Sequence, residues 1–187
     1  DDPITRQNTA KALAQYVRTL VSGGSKLDQY VQGTYTFTPS EQLGFDIFNN
    51  EQGDCFHCHG LATTGYQLGA HGLLQFTNNG LDSIYVVGAG REAVTGDPSD
   101  RGKFKVPSLR NVEYSYPYMH DGRFQTLAEV LDFYEMGGHP SPTLDPNMKA
   151  VGVGRNWSIA QKQGLLDFLK TFSDPAFLTD TSFTDPW

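Results

Sequence analysis

The feature that most constrains this chain is the stretch Cys55-Phe56-His57-Cys58-His59, which holds the only two cysteines of the sequence. A C-x-x-C pair followed at once by histidine is the pattern for covalent attachment of a c-type haem. The two thiols add across the vinyl groups of the porphyrin, and the histidine supplies one axial nitrogen to the iron. In a single helical turn Cys55, Cys58 and His59 lie at i, i+3 and i+4, so all three share a face. Two other chemistries use paired cysteines. A structural zinc site wants four ligands, and no second cysteine pair exists; His71, His120 and His139 are too scattered to complete one. A redox C-x-x-C sits at a strand-to-helix junction of an α/β fold, and no alternation of strand and helix is visible here. The motif therefore reads as one covalent haem c.

At 187 residues the chain suits one domain, or one domain with a substantial extension. Twenty Gly and ten Pro point to long ordered loops rather than uninterrupted helices. Aromatic residues make up 12% of the chain, as a domain wrapping an apolar porphyrin requires. The formal charge of −7 argues against nucleic acid and permits a basic redox partner steered by charge. No apolar run is long enough to span a membrane. Haem attachment to this motif takes place outside the cytoplasm, so the expected location is periplasmic or otherwise exported, with a leader removed.

Three helix starts are written plainly. Thr38-Pro39-Ser40-Glu41, Thr126-Leu127-Ala128-Glu129 and Ser158-Ile159-Ala160-Gln161 each have the form of a capping box. The first predicts a helix burying Leu43, Ile47 and Phe48, with Gly44 placed for a close approach. The second buries Leu127, Val130, Leu131 and Tyr134 and stops at Gly137-Gly138. The third carries Ile159, Leu165, Leu166, Leu169 and Phe172 inward and ends near Asp174-Pro175. A further amphipathic helix over 6–21 repeats Ala10, Leu13, Val17 and Leu20 at helical spacing and stops at Gly23-Gly24. The polar stretch that follows, through Phe37, reads as a linker. From Gly60 to Gln125 no long periodic segment occurs; Ser83–Val87 reads as extended loop and Pro107–Asn111 as one helical turn. A loop of this length needs a large apolar surface to pack on, and the porphyrin supplies it. The fold class is mainly α, a cytochrome c-type haem domain with long loops. Its divisions are an N-terminal helix and linker over 1–37, the haem domain over 38–175 and a tail over 176–187.

A haem iron held by His59 has one further position. Met there favours electron transfer, whereas an open or labile position favours substrate binding. Met119, Met136, Met148, the other histidines and many tyrosines are available, and spacing alone does not choose among them. Arg110 is a candidate for a haem propionate, since a guanidinium pairs with a carboxylate through two hydrogen bonds.

Lys103 to Val112, Pro117-Tyr118-Met119-His120-Asp121-Gly122-Arg123-Phe124, and Thr126-Leu127 through Phe133-Tyr134 to Gly137-Gly138 occur in that order after Cys55 to His59. With Arg18 to Ser22, these stretches resemble the C-terminal half of the bacterial di-haem cytochrome c peroxidases, including the MauG-like branch. The resemblance implies a haem that accepts electrons from a small cytochrome c or cupredoxin and passes them to a second, peroxide-reducing haem in an N-terminal domain. This chain has one C-x-x-C-H, so the catalytic half is expected to be absent and the chain to be a piece of a longer protein, with a stand-alone mono-haem carrier as the alternative. The family places an axial ligand nine positions along the Thr126 segment, which is Tyr134 here; Met119 and Met136 are the alternatives. A phenolate at that place lowers the potential relative to Met. The resemblance also implies an interdomain calcium touching backbone oxygens of Ser115 and Pro117. Its implied partners are the electron donor, the N-terminal haem domain and a second copy in a homodimer.

Overall fold

The computed structural model describes residues 4–60, 76–86 and 88–183. His71 and the last residue of the Ser83–Val87 run lie outside them; residues 83–86 form bends rather than a strand. The helices are α1 (Arg6–Thr19), α2 (Lys26–Val31), α3 (Pro39–Phe48), α4 (Phe56–His59), α5 (Glu92–Thr95), α6 (Leu127–Met136), α7 (Ile159–Lys170) and α8 (Pro175–Leu178). The only strands among the described residues, β1 (Phe76–Thr77) and β2 (Phe104–Lys105), pair antiparallel. No helix among the described residues is long and apolar enough to cross a membrane.

The scaffold is the crossing of α3 and α7. Thr38 caps α3 by accepting from the Glu41 amide at 3.3 Å, and Glu41 accepts in return from the Thr38 amide at 2.8 Å. Ser158 and Gln161 do the same for α7. The two helices meet at Gly44 and Gly164, where a Cβ on Gly44 would overlap the Gly164 carbonyl. That contact lets Phe168 sink to zero exposure. Its ring meets Phe45, Phe48 and Phe172 edge-on at 5.6, 5.4 and 5.3 Å. An aromatic pair of this kind adds about 0.5–1.5 kcal/mol beyond the area it buries. Ile47 and Phe48 are buried as expected, whereas Leu43 is partly exposed and Ile159, at the first position of α7, points into solvent.

The expected linker is folded. Ser25 and Asp28 form a capping box for α2, Leu27 is buried, and Tyr30 stacks on Phe37 with ring centroids 4.0 Å apart. Residues 25–37 thus join the aromatic core. Helix α1 differs: none of its residues is buried, and its apolar stripe, Leu13 and Val17 included, is open. The helical turn expected at Pro107–Asn111 falls later, as a 3-10 turn over Val112–Tyr114, because Asn111 takes a left-handed φ of +57° and starts it.

Arg110 reaches back to α2. Its guanidinium, expected to serve a haem propionate, donates to both Asp28 carboxylate oxygens at 2.9 and 2.8 Å. The Arg110 hydrogen bonds hold the Asp28 carboxyl below its ordinary value, against the opposing effect of burial. A lowered folded-state value stabilises the fold above the unfolded carboxylate range, and that contribution is lost as pH falls through the folded value. Arg110→Ala should therefore cost about 1–3 kcal/mol at pH 7. The cost should shrink steadily below about pH 4. Urea unfolding of both proteins at several pH values checks this; an equal cost at every pH would contradict it.

Candidate haem site

The attachment turn is short and locally determined. The Cys58 and His59 amides both donate to the Cys55 carbonyl, at 3.3 and 2.9 Å, which closes one helical turn and aligns Cys55, Cys58 and His59. Asp54 before it and Gly60 after it take left-handed φ values of +62° and +65°, so the chain enters and leaves abruptly. Burial pushes the Cys55 thiol up to about 12 and the Cys58 thiol up to about 11. A dithiol redox pair needs a lowered thiol pKa, so this environment disfavours that chemistry. Burial pushes His59 down to about 4, although its hydrogen bond to the Pro107 carbonyl opposes the shift. A neutral imidazole with one nitrogen donating to a backbone carbonyl has the other available for a metal.

Helix α6 supplies the next side chain. Its Thr126–Glu129 capping box and its left-handed Gly137 stop fix Tyr134 one turn from the end, at the bounds expected from the sequence. Burial raises the Tyr134 phenol to about 12, and the hydroxyl interacts electrostatically with both Cys58 and Cys55. Asn79 donates to the Tyr134 oxygen at 3.1 Å, and the same amide nitrogen lies 3.8 Å from the Met119 sulfur. Met119 is held at φ +70°, a left-handed conformation that costs a residue with a side chain about 1–2 kcal/mol. Two of the three candidate distal donors are thus gathered at one place. Met136, at the end of α6, is 49% exposed.

Other expected positions lie apart. Ser115 and Pro117 are exposed in their loop. His120 stacks on Phe104 at 4.1 Å and serves packing. A charged group behind the attachment turn has no signal in the sequence pattern. Asp54, fully buried at its side chain, lies 3.1 Å from His57, 3.4 Å from Lys149 and 3.6 Å from Arg155. Two part-buried thiols, a neutral imidazole and a phenol–thioether pair sharing one amide make a donor set that fits a covalently attached haem. The iron of such a group, when bound, supplies one-electron chemistry; Cys55 and Cys58 would hold its edge and His59 its metal. The fold and site define a c-type cytochrome domain.

No family model matches the chain. Individual proteins do. It is 34% identical to the cytochrome-c peroxidase IdrP1 of a Pseudomonas species, over 90% of this chain and 50% of that protein. It is 32% identical to the methylamine utilization protein MauG of Methylorubrum extorquens, over 96% of this chain and 48% of that one. A crystal structure of a MauG-like protein associated with microbial copper homeostasis superposes with a TM-score of 0.86 at 34% identity, covering 100% of this chain and 59% of that chain. The di-haem peroxidase BthA of Burkholderia thailandensis, at 22% identity and a TM-score of 0.61, shares the fold. Over most of its length the chain is similar to bacterial cytochrome c peroxidases and MauG proteins, and it spans about half the length of the curated relatives it matches.

Proposed function

We propose that this chain is the electron-relaying haem c domain of a di-haem peroxidase-type oxidoreductase, with His59 and Tyr134 as the axial ligands of one covalent haem. The grouping of Tyr134, Asn79 and Met119 beside the attachment turn carries this reading. A buried six-coordinate haem suits electron transfer, because both axial positions are taken and peroxide finds no place on the metal. The open apolar stripe of α1 supports a second domain covering it, the N-terminal haem domain where peroxide would be reduced. The electron donor would be a small cytochrome c or cupredoxin met outside the cytoplasm. An interdomain calcium near Ser115 and Pro117 and a homodimer belong to the same proposal.

The haem-loaded chain should accept electrons from a small cytochrome in stopped-flow mixing. Its own turnover of peroxide should stay below about 1 s⁻¹, under the roughly 10 s⁻¹ of a median enzyme. Fast peroxide-driven oxidation of the donor by this domain alone would overturn the division of labour.

A further inference from the structure

We infer that Asn79 is a positioning residue for the haem iron: its side-chain amide selects the Tyr134 oxygen, over the Met119 sulfur, as the distal donor. This rests on the proposed Tyr134 ligation.

The amide's orientation is fixed by its surroundings. Asn79 Oδ1 accepts the Leu81 backbone N–H at 3.2 Å, which leaves Nδ2 facing Tyr134 and Met119. The turn that carries it is pinned on both sides. Asn78, with no exposed surface, donates to Ser141 and Thr143 at 2.8 and 2.9 Å and accepts from the Tyr85 hydroxyl at 2.8 Å. Gly80 follows at φ +71°, and its carbonyl accepts from the His139 amide at 2.7 Å. Asn79 is therefore held against rotation by the residues before and after it.

The chemistry then separates the two donors. A phenolate oxygen is a strong acceptor and a thioether sulfur a weak one. An N–H donated to a charged oxygen is roughly twice as strong as one between neutral groups, and low dielectric strengthens it further. One amide in reach of both atoms thus favours the tyrosine. It also leaves the phenol proton unused: among the described residues the Tyr134 oxygen accepts from Asn79 and donates to nothing. When Tyr134 binds as phenolate, that proton leaves to solvent, and no hydrogen bond donated by Tyr134 among the described residues is broken.

Two substitutions test this. Asn79→Leu keeps the size and removes the donor. Asn79→Asp keeps the oxygen used by the Leu81 amide and replaces the donor with an acceptor. The ferric, haem-loaded chain is titrated with imidazole, which competes with the distal side chain for the iron, and phenolate vibrations are followed by resonance Raman. Both variants should bind imidazole about tenfold or more tightly than the native chain. Both should also lose phenolate intensity. A purely structural role for Asn79 predicts lower melting temperatures with imidazole affinity within about twofold of native, and that result overturns the inference. Native-strength phenolate bands in both variants overturn it alone. A native chain without phenolate vibrations overturns the Tyr134 ligation and this inference together.

Discussion

Replacing both Cys55 and Cys58 by alanine is expected to abolish the permanent retention of haem. In the native chain acid–acetone extraction should leave all of the haem on the polypeptide, since two thioethers hold it; in the double variant all of it should be extracted. The consequence for stability follows from mass action. A group attached covalently is always at its site, whereas a free ligand stabilises by RT ln(1 + [L]/Kd), so the variant's melting temperature should depend on added haem and the native one should not. Among its described residues the long segment between α4 and α6 has only short elements of its own, the four-residue α5 being the longest. It should be the region most loosened when haem is withheld, and hydrogen exchange would show this. Haem that survives extraction from the double variant would place the anchor elsewhere.

The second large effect is expected at Gly44. A methyl group there would overlap the Gly164 carbonyl and crowd Phe168 Cβ, neither of which is the end of a flexible side chain. The helices would have to part, and α3 and α7 hold the core between them. Gly44→Ala should therefore cost about 3–5 kcal/mol, above the usual range for overpacking because the obstacle is backbone. For a chain of this size that lowers the melting temperature by roughly 10 °C. Gly23→Ala is the control: nothing lies within 4 Å of its Cβ position. That change should be neutral or stabilise by about 0.5 kcal/mol through the unfolded chain. Equal effects at the two positions in thermal melts would contradict the close helix crossing.

Elements whose signals are local are legible in the sequence. The three capping boxes begin α3, α6 and α7 where their side chains predict, and Gly137 ends α6, because each needs only residues within one turn. Helix α2 is not legible, since it has six residues, buries only Leu27 and lies in a polar stretch. Ile159 follows the apolar pattern of α7, but at its first position it faces away from the core.

Long-range pairings are not legible. Arg110 has the chemistry of a fork that wants a carboxylate, yet its partner Asp28 lies 82 residues away in the chain. The attachment residues follow from a motif, whereas the distal side needs three segments brought together. Tyr134 on α6 and Met119 in a loop are joined through Asn79, which the sequence presents as one of two adjacent asparagines in a loop. Spacing does not rank the two donors. In the proposed arrangement the amide between them supplies the ranking.

The most direct test of the account is the ferric resonance Raman spectrum of the haem-loaded chain beside that of Tyr134→Phe. Ligation by His59 and Tyr134 predicts phenolate vibrations in the native protein and their complete loss in the variant, with the sixth position passing to Met119 or to solvent. Identical Raman spectra from the two proteins, or a methionine-type band at about 695 nm in the native ferric absorption spectrum, would contradict it.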